Sequence, residues 1–160
     1  MSSSALPDIA APLTRFTPGI LLAISLGAIL GALGRESLAA VANGPAPHSF
    51  PWGTLIANIS GAFLLGLFAT YIDRVIKHPL FRAFWEIGLI RSFTTLSTFS
   101  LEGIHMVEAR EWESFLPYVV ISVLGGLLAV FLGDRLGQSI SLSSGLVEEP
   151  DVRERVEKEI

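Results

Sequence analysis

Three stretches of this chain carry no charged residue: Thr17 to Gly34, Pro51 to Ile72 and Ser114 to Gly133. Each is close to the roughly 20 residues that an α-helix needs to cross about 30 Å of hydrocarbon. With 51% hydrophobic and 16% charged residues and a mean hydropathy of +0.58, the chain is more apolar than a water-soluble surface tolerates. Soluble domains carry about a quarter charged residues. A fourth segment, about Trp85 to Leu101, is apolar at its ends and polar in its middle. Four spans nearly exhaust the 160 residues, leaving no room for a soluble catalytic domain. The expected fold is an all-α membrane protein with four transmembrane helices per subunit, at about 17–42, 52–73, 83–108 and 114–136. These form one membrane domain, 17–137, between an N-terminal segment, 1–16, and a charged tail, 138–160.

Several function classes drop out at once. There is no cysteine, so disulfides, thiolate metal sites and cysteine nucleophiles are excluded. A net charge of −4 argues against nucleic acid as a partner. Met1 to Leu13 lacks a basic n-region followed by an apolar core, so no cleaved signal peptide is expected and the first apolar run is retained as a span. The three histidines (His48, His78, His105) fall at or beyond the expected span ends. No nucleophile–base pair and no metal-ligand spacing occur, so the chain does not read as an enzyme. There is no internal repeat.

Punctuation between the spans is clear. Asn43-Gly44-Pro45-Ala46-Pro47 is a turn-forming run that closes the first helix. Pro51 opens the second, in a first-turn position that suits proline. His78-Pro79 marks the next break, the third helix starts near Phe81, and Glu111-Trp112-Glu113 reads as a short loop before the fourth. Trp52, Trp85, Trp112, Tyr71 and Tyr118 lie near the span ends, where amphipathic rings favour the headgroup zone. The tail from Ser141 is rich in Glu and Arg, and the expectation is a solvated tail despite Val152 and Val156 one turn apart.

The third segment is the informative one. From Ser92 to Ser100 it has six hydroxyl residues and two phenylalanines in nine positions. On a continuous helix those hydroxyls point in nearly every direction and leave no lipid-facing stripe. Such a segment belongs among other helices or along a wet path, with its backbone open to interruption there. Four short spans cannot bury it well, so an oligomer is expected, most economically a dimer. One or two hydroxyls would be unremarkable, because Ser and Thr bond their own i−4 carbonyls in membrane helices. Six in nine favour function.

Other residues converge on it. Thr54, Asn58 and Gly61 are spaced by four and three, hence on one face of the second helix. The Asn58 amide needs partners in lipid and serves either a pore or an interhelical clamp. Gly27-x-x-x-Gly31 and Ser122-x-x-x-Gly126 read first as close helix packing, although the Ser122 hydroxyl could also face a pathway. Arg91 is the outlier. A mid-span charge costs from about 2.5 to well over 10 kcal/mol depending on the reference state, and no acid lies three or four residues away to pair with it. Its partner has to come from another helix, another subunit, an anion or water, unless the side chain snorkels to the nearer interface.

At these residues the chain resembles the small bacterial fluoride channels of the Fluc, or CrcB, family. The resemblance runs from about Leu26 to Gly133. It is carried by Gly27-Ala-Ile-Leu-Gly-Ala-Leu-Gly-Arg35, by Gly53-Thr-Leu-Ile-Ala-Asn58-Ile-Ser-Gly61-Ala-Phe63-Leu-Leu-Gly66, by Thr94-Thr-Leu-Ser-Thr-Phe-Ser-Leu-Glu102, and by Tyr118-Val-Val-Ile-Ser122 with Gly126 and Gly133. Each piece is weak alone; their order and spacing together are specific. The resemblance implies an antiparallel (inverted) dimer with two fluoride pathways, a broken third helix, and a sodium ion at the dimer centre held by backbone carbonyls. Carried across, Asn58 is a pore-lining donor, Phe99 one of two pore phenylalanines, and Thr95, Ser97 and Thr98 part of the hydroxyl-rich stretch. Ser122 extends the polar track, Arg35 lies at a vestibule, and Thr94 and Arg91 supply the sodium-facing carbonyls. The chemistry suits the ion. Fluoride only accepts hydrogen bonds, so it needs amide and hydroxyl donors, and the positive edges of phenyl rings assist. No mid-span carboxylate is expected to repel it.

Two departures stand out. The family has Gly-Gly where this chain has Arg91-Ser92, and Phe where it has Leu96. Glycine permits a backbone break, so its replacement bears on sodium coordination, and the lost ring bears on the pathway it would line. The expectation is that the Arg91 guanidinium supplies the central positive charge. With both termini on one side, that side holds Arg15, Arg74, Lys77, Arg82, Arg135, Arg153, Arg155 and Lys158 against Arg35 and Arg110 opposite. This bias places both termini in the cytoplasm and, with the missing pore residues, suggests one half of a heterodimer in the cell membrane. The leading function is passive fluoride export that relieves fluoride toxicity. The rivals are a small dual-topology cation or multidrug exporter, which should carry an acid midway along the first span, and a non-conducting structural subunit of a channel.

Overall fold

A computed structural model describes residues 17–43, 50–75 and 78–143. The N-terminal segment 1–16, His48, most of the Asn43–Pro47 turn and the tail beyond 143 lie outside the described residues.

Local chemistry sets the helix starts. Helix α1, Pro18–Ala42, begins with proline in its first turn, and the Thr17 side chain accepts a hydrogen bond from the Ile20 N–H at 3.3 Å. Asn43 ends it, and its Oδ1 accepts from the Gly53 N–H at 2.8 Å. One side chain thus closes α1 and holds the start of α2, Trp52–Val75. The third segment arrives in pieces: α3, Pro79–Arg82, a π-helical run, Ala83–Ile90, and α4, Arg91–Phe93. Thr94 (φ −85°, ψ 153°) and Thr95 (φ −148°, ψ 122°) are then extended. Helix resumes as α5, Leu96–Glu108, and the last element is α6, Trp112–Ser143.

The expected break in the third segment is therefore present, inside the hydroxyl-rich stretch from Ser92 to Ser100. Arg91 and Ser92, which stand where the resembled family has Gly-Gly, stay helical, and the chain opens at Thr94 and Thr95.

Among the described residues, three helices are long and apolar enough to cross a membrane: Pro18–Ala42, Trp52–Tyr71 and Trp112–Leu142. Their large side chains point outward. Leu22, Ile29 and Leu33 on α1 and Leu124, Leu127 and Leu128 on α6 are all more than half exposed, which suits a surface solvated by acyl chains. The third segment falls short of a span in any single piece because Thr94 and Thr95 divide it.

Packing runs in two pairs. A Cβ on Gly133 of α6 would strike the Phe63 carbonyl oxygen of α2, so these helices touch backbone to backbone. Likewise Gly31 of α1 sits against the Leu89 carbonyl of the π-helical run. π-Helix is rare and short where it occurs. Here it is braced by that contact, by the Arg82–Glu86 ion pair at 2.9 Å, and by Trp85 stacked on Phe68 at 5.7 Å. Of the two small-residue motifs, Gly27-x-x-x-Gly31 packs as expected. Gly126 of the other has nothing within 4 Å of its would-be Cβ, so no close backbone approach is made at that glycine.

Other boundaries differ from the sequence reading. Trp112 and Glu113 belong to α6 rather than to a loop. Helix α6 also continues to Ser143, past the expected end near Leu136, because polar residues there are satisfied inside the fold. Thr70 donates to the Asp134 carboxylate, Gln138 donates to it at 2.8 Å, and Ser141, wholly buried, bonds the Gly137 carbonyl at 2.8 Å. At 32 residues and about 1.5 Å per residue, α6 is roughly 48 Å long and exceeds the hydrocarbon thickness.

Candidate functional site

The site forms where one face of α2 meets the break in the third segment. Thr54, Asn58 and Gly61, on that face by their spacing, each engage it. Asn58 donates an Nδ2–H to the Thr95 carbonyl at 2.9 Å and accepts from the Thr95 N–H at 2.7 Å. The break exposes two backbone groups that no helix satisfies, and a single carboxamide satisfies both. Gly61 leaves space for the Thr94 methyl, which a Cβ would strike. Thr54 donates to Glu102 on α5 at 2.9 Å.

Thr95 also caps the helix that follows. Its Oγ1 accepts from the Thr98 N–H at 3.1 Å, lies 3.0 Å from the Thr98 hydroxyl and 3.2 Å from that of Ser97. Three of the hydroxyls singled out in the sequence thus cluster at one helix N-terminus. Thr94 bonds the Arg91 carbonyl through its hydroxyl at 3.2 Å.

Two open cavities flank the break. One, of about 350 Å³, is bordered by Asn58, Arg91, Thr94, Thr95, Leu96, Phe99 and Ser122 among mostly apolar neighbours. The Ser122 hydroxyl oxygen is buried and has no partner among the described residues, so it is a polar atom waiting for one. The second cavity, of about 720 Å³, brings Arg35 and Ser97 together with Arg91, Thr94, Thr95 and Leu96. Arg35 pairs through a terminal nitrogen with Glu36 at 3.1 Å, while its buried Nε has no partner. Arg91 is exposed and makes no ion pair among the described residues. Every residue named as a site from the sequence borders one of these cavities except Thr98, which touches Thr95 behind them.

Sequence reasoning missed a second cluster. The Glu102 carboxylate takes the Thr54 hydroxyl on one oxygen and, on the other, the Tyr118 hydroxyl at 2.6 Å. Phe99 lies 5.0 Å from the Tyr118 ring, and Leu55 and Met106 complete the small core. Tyr118, near the start of α6, is wholly buried in the fold, and its hydroxyl has a carboxylate partner. The Glu102 carboxylate is tethered by these two donors rather than free. Glu102 had been part of a matching motif, and Thr54 shares the Asn58 face; together these pointed at the pair.

Comparison with known proteins fits this arrangement. A family model described as CrcB-like protein, camphor resistance (CrcB), matches residues 22–134. The chain belongs to the CrcB family. The match takes in Arg35, the Asn58 face, the whole break, Glu102 and Ser122, so every part of the site lies within the CrcB region. A protein of Campylobacter lari named fluoride-specific ion channel FluC is 36% identical over 115 residues, covering 72% of this chain and 94% of that protein. An Aquifex aeolicus protein of the same name is 36% identical over 123 residues, covering 76% and 99%. In Moorella thermoacetica, a protein named fluoride-specific ion channel FluC 1 is 34% identical over 137 residues, covering 83% and 98%. A multi-pass helical membrane protein of the CrcB family is what the fold and the comparisons together establish.

Proposed function

We propose that this chain is one subunit of a passive fluoride channel that exports fluoride across the cell membrane as an antiparallel dimer, and that its partner is a different chain. The observation that carries the reading is the opened backbone at Thr94–Thr95. It is clamped by Asn58 and bordered by a cavity holding Phe99 and the partnerless Ser122 hydroxyl. Relatives of nearly full length are named fluoride-specific ion channels. A small anion that only accepts hydrogen bonds is served by hydroxyl and amide donors and by ring edges. The cavities are open, and acyl chains cannot solvate a broken backbone or a guanidinium, so a second protomer is the natural cover. Both termini lie in the cytoplasm on this reading, following the bias of basic residues.

The residues do not favour a sodium ion at the centre. The Arg91 carbonyl already accepts the Thr94 hydroxyl, and the Arg91 side chain borders the same cavities as Thr94. A cation there would meet a fixed positive charge. The guanidinium instead supplies that charge itself.

A second reading, a non-conducting subunit, is favoured by one observation. Leu96 is 76% exposed at a position where the resembled family carries a phenylalanine. Fluoride efflux from loaded liposomes separates the readings. The chain alone should release little, and the chain with a family member of opposite basic bias should release fluoride readily. Robust flux from the single protein removes the need for a partner. No flux in either case, from folded protein, leaves only the structural role.

A further inference from the structure

Arg91 stands between two open cavities. It borders both open cavities, and so do Thr94, Thr95 and Leu96, so this stretch is the ridge between them. Among the residues lining the two cavities there is no acid, and the one other charge is Arg35. Arg35 has Glu36 beside it; Arg91 has no such neighbour among the described residues.

From this charge pattern we infer that Arg91 selects the partner. It disfavours a second copy of the same chain and favours a protomer of the same fold that presents a neutral or acidic residue opposite it. The inference rests on the paired reading above. A closed pair of identical chains uses one patch twice, each residue of the patch meeting its symmetry mate's surface. In a two-fold pair centred on this ridge, each open cavity gains its missing wall from the other chain. In such a pair the two Arg91 guanidiniums converge in a water-poor interface, with no acid in either lining to separate them. Like charges brought together in an interface are a strong repulsive element, and specificity is often built from such elements. A partner without the cation leaves one guanidinium per pair, next to hydroxyls and carbonyls that can accept its hydrogen bonds.

The test measures self-association of the full chain in liposomes by single-molecule photobleaching as the protein is diluted into excess lipid. Wild type is compared with Arg91→Gln, Arg91→Ser and the charge-keeping Arg91→Lys. Removing the charge should strengthen self-pairing by about tenfold or more, in both neutral variants, while Arg91→Lys stays as weak as wild type. In vesicles holding differently labelled wild type and Arg91→Glu, mixed pairs should exceed both kinds of like pair. Wild type that pairs with itself as tightly as the two neutral variants would overturn the inference and leave the dimer reading standing. So would Arg91→Lys behaving like Arg91→Gln. A different result strikes the paired reading itself: monomers throughout, with no cross-link through Leu96→Cys even in the wild type and Arg91→Glu mixture. The inference would fall with it.

Discussion

The Asn58 carboxamide and the Thr95 peptide are joined by two hydrogen bonds, 2.9 Å from the amide to the carbonyl and 2.7 Å from the backbone N–H to the amide oxygen. An asparagine that only lined a pathway would not need both. Asn58→Ala leaves two backbone groups of the break without partners where water is scarce, which should cost about 2–5 kcal/mol. A lower melting temperature in detergent, together with lost flux, is the expected outcome. Asn58→Asp keeps the acceptor for the Thr95 N–H and loses the donor, so it should fall in between. Flux lost with an unchanged melting temperature would mean that Asn58 acts on the ion and not on the fold.

Gly61 and Thr94 give a sharper test of how the break is held. A methyl added at Gly61 strikes the Thr94 methyl, and overpacking of this kind costs about 1–3 kcal/mol. Gly61→Ala should therefore destabilise the protein, and Thr94→Ser, which deletes the opposing methyl, should restore much of the loss. The two changes should be non-additive in a double-mutant cycle read by thermal unfolding. Additive effects would place the strain elsewhere.

The Glu102 cluster yields a prediction of its own. Tyr118→Phe keeps the buried ring against Phe99 and removes the hydroxyl that donates to Glu102. The carboxylate then has Thr54 alone. A loss of about 1.5–3 kcal/mol is expected for a hydrogen bond to a charged group, and Thr54→Val with Tyr118→Phe should cost more than the sum of the two. If both single variants unfold at the wild-type temperature, the cluster contributes nothing to the fold.

How much of this could be read from residues alone follows from what hydropathy can report. Uncharged runs locate α1, α2 and most of α6, because lipid selects against charge residue by residue. The break was legible too, through the crowding of hydroxyls from Ser92 to Ser100, the stretch in which it falls. Glycine is one way to open a helix; here Thr94 and Thr95 do it because Asn58 waits for the freed backbone, a contact between residues 37 apart. The burial of Tyr118 escapes the sequence, since a tyrosine that is merely at a helix end and one beside a carboxylate look alike in one dimension. The far turns of α6 were missed for a similar reason. Asp134, Gln138 and Ser141 lower the local hydropathy, and only Thr70 on α2 and the helix's own carbonyls reveal that they are satisfied. Nothing in the sequence announced the π-helical run.

Arg110 offers a change that should stabilise. It is the one non-glycine residue with positive φ, 60°, among those described. It ends α5 in a left-handed turn in which the Glu111 N–H bonds the Met106 carbonyl at 2.9 Å and the Arg110 N–H bonds that of Val107 at 3.1 Å. Glycine adopts this conformation without a Cβ penalty. Arg110→Gly should raise stability by about 0.5–1 kcal/mol, with flux unaltered because Arg110 borders neither cavity. A lower melting temperature would show that the arginine side chain contributes more than its backbone strain takes away.

Sodium dependence tests the role given to Arg91. If its guanidinium is the fixed positive charge at the centre of the channel, wild-type flux should be indifferent to whether sodium, potassium or a large organic cation is present. Arg91→Gly removes the charge and opens room beside the Thr94 carbonyl, so a small cation gains a place it lacks in the wild type. Flux through that variant, reconstituted with its partner, should then fall when sodium is withdrawn and recover when it returns. Arg91→Lys, which keeps a cation on a flexible stem, should remain indifferent. The direction matters more than the size. A wild type that already needs sodium would assign the central charge to the ion and leave Arg91 with another task. An Arg91→Gly variant with undiminished flux in every cation would mean that no central charge is required.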